Sequence, residues 1–586
     1  MRREPACART RDGEQDERME REESSVESEE RDVSDREPRK PIFGAEGRSG
    51  APRPKRGAKR TSRRRGLAAA LACVAVQLVA ATVAHAVEAP ARPNVVIFLA
   101  DDLGWADVGY HGSEIATPGI DRLAREGLRL ERFYANPICS PTRAALLSGR
   151  DALALGIAYD QINPWNPHGL PPDSYLITHA FRAAGYQTAM VGKWHLGHTQ
   201  AHQLPNAQGF DRFAGHLHTQ TDFFTHLRAG GHDLQRDGKS IHEDGMYLTR
   251  FEAREAVRFL EQRDRSKPFL LYVPFTAPHT PMQAPEETIA KYAHVPAAAY
   301  RRVYAAMVDE VDQAVVQVLD TLDRQGIAKS TIVLFTSDNG GTPGGGGGGS
   351  NRPLRGEKGQ TFEGGIRVPT VLRWPGALPA GETRHQVLAA YDVLPTLAHA
   401  AGVALAPPIA LDGEDRWEAL RSDARVPRAR PLFFASEIPL PGTIHLAVID
   451  GPWKLVQVLR EQATRFDVQQ LLFRIEDDPN EKNDLAATEP QQVARLAEAI
   501  AQWRRRHPIA GTRSSLVPPP GWLPPKDWAD AVVPSSLLQA RWRNELPFSG
   551  PLLDALAHRG VLIDDATREQ LMREEAERTR ALEAQP

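Results

Sequence analysis

Of the three cysteines in the chain, Cys139 stands among residues that could do chemistry, opening the run Cys139-Ser140-Pro141-Thr142-Arg143-Ala144-Ala145-Leu146-Leu147-Ser148-Gly149-Arg150. Cys7 lies in a charged N-terminal tail and Cys73 in an apolar stretch, so neither is an obvious disulfide partner. Cys139 therefore reads as a small buried hydrophobe near a helix start or as a reactive position. Asp101-Asp102 and Asp338-Asn339 offer hard oxygen donors, which suit Ca²⁺ or Mg²⁺ and are poor for a soft metal. Each pair has a plainer alternative. Asp338-Asn339-Gly340-Gly341 is also a turn signal, and Asp101-Asp102 could cap a helix. Lys193 and His195, in Met190-Val191-Gly192-Lys193-Trp194-His195-Leu196-Gly197, share one face if the segment is extended, as an anion site or as a solvated strand end. His279, in Ala277-Pro278-His279, and Lys358, in Gly356-Glu357-Lys358-Gly359-Gln360, complete the set. Taken alone, a histidine is more often structural and a lysine is by default at the surface.

The elements that must carry these residues have an α/β pattern. Residues 94–100, 269–273 and 331–336 read as fully buried strands, each running into polar residues that include Asp101, His279 and Asp338. In open α/β sheets ligands gather outside the carboxyl ends of strands, which would bring these three to one rim. Helical periods follow at 119–126, with Thr117-Pro118 as a start, and at 247–262 and 300–325. The run from Gly344 to Gly349 reads as a mobile loop beside the candidate site. From about Pro431 the text turns to short strands at 444–449 and 471–475 and a helix at 490–505, a smaller C-terminal α+β domain.

The Cys-x-Pro-x-Arg spacing followed by Leu-Leu-Ser-Gly-Arg resembles the signature of type I sulfatases, members of the alkaline phosphatase-like superfamily. In these a maturation enzyme oxidises the cysteine to Cα-formylglycine. The Gly-Lys-Trp-His-Leu-Gly block, the Pro-His block, Asp338-Asn339 and the Lys358 block follow in the family's order, and the resemblance runs from about Pro93 to Leu485. The Lys358 block and Phe224-Thr225-His226 look closest to the arylsulfatase B-like branch, whose named activity is release of 4-sulfate from N-acetylgalactosamine. Gly119, in place of a frequent Asn, and the glycine run depart from the pattern and put the substrate in doubt.

The resemblance implies a large mixed sheet sandwiched by helices, with the smaller α+β domain after it. It implies a calcium site, Ca²⁺ rather than Mg²⁺, formed by Asp101, Asp102, Asp338, Asn339 and an oxygen of formylglycine at Cys139. It implies catalysis by Cys139, Arg143, Lys193, His195, His279 and Lys358, with Arg143, Lys193, His279 and Lys358 binding sulfate. In that scheme Asp338 helps deprotonate the attacking hydroxyl, His279 with Lys358 protonates the leaving alcohol, and His195 takes the proton of the second hydroxyl. The expected function is hydrolysis of sulfate monoesters, of sulfated sugars in particular. The rivals are a phosphonate or phosphate monoester hydrolase of the same superfamily, a sulfated-glycan binder with Cys139 unconverted, and a thiol hydrolase of Cys and His type.

Composition fits that class. The 586 residues are 41% hydrophobic, enough for a large core, and a formal net charge of -3 argues against nucleic acid as a partner. Residues 1–62 alternate acidic and basic side chains with almost no apolar content and read as disordered. Residues 63–89 run from Arg63-Arg64-Arg65 through an apolar stretch to Ala84-His85-Ala86, the order of a secretory signal or, if uncleaved, an anchor. The chain is thus expected to be exported, periplasmic or secreted, and to meet a membrane only if that segment stays. The remaining division is a catalytic domain over 92–430, the smaller domain over 431–510 and an unassigned tail over 511–586. Its expected partners are a sulfated small molecule or glycan and a formylglycine-generating enzyme.

Overall fold

Asn94–Ala100 (β1) is buried at every position, and its side chains divide between two cores. Val95, Ile97 and Leu99 enter one apolar cluster, while Val96, Phe98 and Ala100 enter the other. A strand buried on both faces reads as an unbroken apolar run because neither side meets water. The computed structural model describes residues 92–507, except 296–298, 345, 406–408, 438–442 and 462–465, together with 518 and 522–531. The charged tail over 1–62, the signal or anchor over 63–89 and most of the unassigned tail over 511–586 lie outside the described residues. No helix among the described residues is long and apolar enough to cross a membrane.

The largest sheet among these residues has ten strands. In chain order they are β1, Leu128–Leu130 (β2), Gln187–Lys193 (β3), Arg212–His216 (β4), Gln235–Arg236 (β5), Lys239–Ser240 (β6), Phe269–Pro274 (β7), Thr331–Ser337 (β8), Val371–Arg373 (β9) and Glu382–Arg384 (β10). Across the sheet they run β10-β2-β9-β8-β1-β7-β3-β4-β5-β6. The central five, β8-β1-β7-β3-β4, are parallel, and β9 and β5 flank them antiparallel. Parallel alignment puts the carboxyl ends of β1, β7, β8 and β3 along one edge.

Pro118–Glu126 (α1), Leu248–Gln262 (α3) and Ala299–Arg324 (α4) supply side chains to the core that holds Val96 and Phe98. Cys139–Ser148 (α2) packs into the other. The predicted helices and strands of this region agree with these bounds to within a residue or two.

The C-terminal sheet is longer than the sequence predicts. Leu432–Ser436 (β11), Thr443–Asp450 (β12), Trp453–Glu461 (β13) and Phe466–Arg474 (β14) form an antiparallel meander, backed by Pro490–Arg504 (α5). Among the described residues β14 pairs only with β13, and the exposed first half of this edge strand, with Val468 48% accessible, carries polar residues that hide it in the sequence. Phe434, Ala447, Val456 and Phe473 point into the main core, while Leu446, Leu455 and Leu472 face Leu496, Ile500 and Trp503 of α5. One face of the smaller sheet is thus continuous with the core of the larger one.

The glycine run is a further departure. Its second half is packed rather than loose: Gly349 donates to the Thr342 carbonyl at 3.0 Å, Arg301 Nη1 donates to that of Gly348 at 2.8 Å, and a Cβ on Gly347 would stand 2.1 Å from the Thr342 oxygen. Glycine suits the segment because backbone here fills the space a side chain would need.

Candidate active site

Cys139 is the first residue of α2, a helix buried along its whole length. Pro141 is tolerated in the first turn, where its missing N–H has no partner to lose. Ser140 Oγ donates to the carbonyl of His195 at 3.1 Å and accepts from the Ile162 N–H at 3.2 Å, which ties this helix start to the end of β3. Cys139, Asp101 and Asp338 offer ligand atoms within 4.8 Å of one another, as do Asp101, Asp102 and His279.

The strand ends deliver the acids. Asp101 and Asp102 follow β1, the latter in the left-handed region at φ 65°, and Asp338 follows β8. The Asp338 N–H donates to Ala100 O at 3.0 Å, so the sheet ladder continues into the site. Asp338-Asn339-Gly340-Gly341 is no surface turn. Gly340 donates to Gly365 O at 3.0 Å, and a Cβ there would lie 1.8 Å from Gly364 O, so only glycine lets this segment lie against the Lys358 block. Lys358 N–H reaches Gly341 O at 3.3 Å and Gly359 N–H reaches Pro137 O at 2.8 Å, which joins this block to the Cys139 approach.

Three cations interlock with three carboxylates. Lys193 Nζ contacts Asp101 Oδ2. Lys358 Nζ lies 2.7 Å from Asp102 Oδ1 and 2.9 Å from Oδ2. Arg143, fully buried, gives Nε and Nη2 to Asp338 Oδ2 at 3.1 and 2.8 Å, Nη2 to Asp101 Oδ2 at 3.1 Å and Nη1 to the Lys193 carbonyl at 2.9 Å. Its planar fork therefore fixes the acids and the end of β3 rather than facing a substrate. Asn339 Nδ2 donates to Asp102 Oδ1 at 2.7 Å.

His195 reaches the site by a route other than the one the sequence predicts. β3 ends at Lys193, and His195 sits in a left-handed turn at φ 59°, so strand alternation does not align the two. Its Nε2 bonds the Ile162 carbonyl at 3.1 Å, which makes Nε2 the donor and leaves a lone pair on Nδ1, buried with no hydrogen-bond partner. His279 Nδ1 bonds the Thr280 carbonyl at 2.7 Å, and its Nε2 lies 3.8 Å from Asp102 Oδ2.

Burial and neighbouring charge set the protonation. Burial, then Lys193 and Arg143, push His195 well below the usual histidine range, and burial with Lys358 takes His279 down to about 4. Burial would raise Asp101, but Lys193, His279 and Arg143 outweigh it and hold it below the carboxylate range; burial and the Asp101 charge push Asp338 up to about 7. Burial also drives the Cys139 thiol upward, which weakens it as a thiolate nucleophile.

The residues present fit a hard cation. Asp101 Oδ1 and Asn339 Oδ1 are buried oxygens without hydrogen-bond partners, and the surrounding donors are carboxylate and amide oxygens.

Sequence reasoning passed over the supports behind this rim. His216, the register partner of Lys193, bonds Thr276 Oγ1 at 2.5 Å, and Thr276 donates to Glu252 at 3.3 Å. Tyr304 OH donates to Asp107 Oδ2 at 2.8 Å and accepts from the Gly104 N–H at 3.2 Å. The one signal for His216 is its place at a strand end. Phe224-Thr225-His226 makes a turn in which His226 bonds the Met246 carbonyl, outside this cluster.

Residues 93–403 match the family model described as Sulfatase. The chain is 38% identical over 344 residues to Arylsulfatase J of Mus musculus, a match covering 58% of this chain and 57% of that protein. It is 34% identical over 390 residues to N-acetylgalactosamine-6-sulfatase of the same species, covering 62% of this chain and 72% of the relative. Among solved structures, that of Ps i-CgsB in complex with k-i-k-neocarrahexaose superposes with a TM-score of 0.65 at 29% identity, covering 77% of this chain and 97% of the other. With the motif blocks converging on one rim of an α/β sheet, these matches place the chain in the sulfatase family, the sulfuric ester hydrolases of alkaline phosphatase-like fold.

Proposed function

We propose that the protein hydrolyses sulfate monoesters of sulfated sugars and that Cys139 acts after conversion to Cα-formylglycine. The observation that carries this reading is the placement of Cys139 at a helix start, its ligand atom within 4.8 Å of Asp101 and Asp338, where Arg143 and Lys193 pair with those acids. Once hydrated, the aldehyde would supply one hydroxyl to attack sulfur and a second whose ionisation expels sulfate. Asp101, Asp102, Asp338 and Asn339 would hold a divalent cation, Ca²⁺ by resemblance, that supplies positive charge to a sulfate oxygen.

The chain's own residues do the rest. Lys193 and Lys358 neutralise the sulfate oxygens in a water-poor site, where charge is screened least. Arg143 positions Asp101 and Asp338 and so the hydroxyl between them. His279, with Nδ1–H committed to the Thr280 carbonyl, can donate a proton from Nε2 to the leaving oxygen only as imidazolium, a form that the negative charge of a bound sulfate ester would favour over the neutral ring of the free site. His195, held neutral by burial with a bare Nδ1, suits the removal of a proton from the second hydroxyl. The names of the relatives support a sulfated sugar as substrate, and the Lys358 block supports an N-acetylgalactosamine sulfate. Export through residues 63–89 belongs to the same reading.

Peptide mass spectrometry across Cys139, on active protein from its own host, tests the proposal. The expected result is an aldehyde in place of the thiol, with faster turnover of sulfate than of phosphate or phosphonate esters. Intact thiol in fully active protein would overturn the nucleophile, and faster phosphate turnover would overturn the substrate class.

A further inference from the structure

The segment between His226 and Met246 lies outside the catalytic rim and gathers three histidines and an aspartate. One ring nitrogen of His232, one of His242 and a carboxylate oxygen of Asp244 lie within 4.8 Å of one another. The His232 and His242 rings are 4.2 Å apart, and the His226 ring stands 6.4 Å from that of His232 at a near-perpendicular 83°. Two of the histidines already have the support that a metal ligand needs. His232 Nε2 bonds the Ile241 carbonyl at 2.8 Å and His226 Nε2 bonds the Met246 carbonyl at 3.0 Å. A carbonyl on Nε2 fixes the tautomer, so each ring carries its lone pair on Nδ1, the arrangement seen when a second shell orients a ligating imidazole.

His226 supplies a second and independent sign. It is fully buried, and its Nδ1 has no hydrogen-bond partner, an unmet acceptor that costs free energy unless something fills it. His242 and Asp244 are exposed, so their side chains can swing onto an ion and solvent can reach it.

We propose that His232, His242 and Asp244, with the buried His226 ring 6.4 Å from that of His232, form a second metal site, of the Zn²⁺ class, distinct from the oxygen-rich site at Asp101 and Asp338. Imidazole nitrogens with one carboxylate select zinc over calcium, whereas the catalytic rim is dominated by carboxylate and amide oxygens, with Cys139 and His279 beside them. The site is structural. The His232 N–H donates to the Lys526 carbonyl at 2.9 Å, and Trp528 Nε1 donates to the Arg228 carbonyl at 3.0 Å, so this segment seats residues 522–531. Asp233, next in the chain, holds the Leu217 N–H at 3.0 Å and His218 Nδ1 at 2.6 Å, close to His216 at the end of β4. A zinc ion here would staple the segment that braces the strand beside Lys193.

The test uses the full chain, loaded with Zn²⁺ in excess Ca²⁺, desalted and measured for metal by inductively coupled plasma mass spectrometry. His242→Ala and the pair His242→Ala with Asp244→Asn change exposed side chains, and Asp101→Asn serves as the variant of the catalytic site. The expected result is one zinc per chain in the parent and in Asp101→Asn, with zinc affinity weakened about tenfold or more by His242→Ala. Zinc should also raise the unfolding midpoint of the parent more than that of His242→Ala. Equal zinc content and affinity in the parent and His242→Ala would overturn the proposal, as would zinc that disappears with Asp101→Asn and not with His242→Ala.

Discussion

The block around Lys358 serves two clusters of buried charge, and the clusters differ in what they leave over. At the catalytic rim Lys358 meets Asp102, and three cations face three carboxylates, yet Asp101 Oδ1, Asn339 Oδ1 and His195 Nδ1 have no hydrogen-bond partner. Five residues on, Glu363 joins a clasp to the smaller sheet. Lys454 Nζ of β13 lies 2.9 Å from Glu363 Oε1 and 2.9 Å from Glu481 Oε1, Tyr134 OH donates to Glu363 Oε2 at 3.1 Å, and the Glu363 N–H donates to Glu481 Oε2 at 2.7 Å. Three of the four carboxylate oxygens of the clasp accept a hydrogen bond, and the fourth, Glu481 Oε1, has none but lies against the Lys454 ammonium. At the clasp the one oxygen without a hydrogen bond still sits against the shared ammonium, whereas the atoms left over at the rim are not those at which the cations are closest.

The sharpest way to break that contrast is Cys139→Ala in otherwise matured protein. Hydrolysis of an aryl sulfate should fall on the order of 10⁴-fold or more, as removal of a nucleophile does. The unfolding midpoint should barely move, since only one sulfur leaves a packed helix start. Activity that survives would mean that the unpartnered atoms at the rim belong to no reaction.

Lys454→Met is the converse. It leaves Glu363 and Glu481 buried without their shared cation, and stability in denaturant unfolding should drop by about 3–5 kcal/mol. The kcat of the folded fraction should stay within a few fold of the parent. A large loss of kcat at unchanged stability would make the clasp part of the active site and erase the distinction.

What could be read in the sequence follows the same division. β1, β7 and β8 are legible because burial on both faces leaves continuous apolar runs, and Asp101 and Asp338 become visible as polar residues at the ends of such runs. Of the edge strand β14 only the buried second half is legible, because its solvated first half carries polar residues, and β11 and β13 give no sign until β12 pairs with them. The gathering of Cys139, Lys193, His195 and Lys358 is legible only through resemblance to a family. Their meeting depends on long-range contacts, such as Gly359 N–H to Pro137 O, Ser140 Oγ to His195 O and Gly340 against Gly364, that no local pattern encodes. Lys454 and Glu481 look like ordinary strand and loop charges, and only their burial reveals the clasp.

A smaller effect sharpens the comparison through pH. Burial, opposed by Lys454 and reinforced by the Glu363 charge, pushes Glu481 from its ordinary 4.5 up to about 7. Between those values the folded chain holds a proton that the unfolded chain has released, so this group's contribution to stability falls as pH rises from about 4.5 to about 7. Glu363 runs the other way. Burial would raise it, but Lys454 and Arg367 outweigh that and hold it below its ordinary value, so its stabilisation is lost only at lower pH, outside the window. Glu481→Gln keeps an acceptor for the Glu363 N–H and removes the titration. Relative to the parent, its stability against unfolding should be greater at pH 8 than at pH 5, by on the order of 1 kcal/mol or more. Parallel pH profiles for the two proteins would mean that Glu481 is ionised throughout, and that Lys454 compensates two full charges in the clasp as the cations do at the rim.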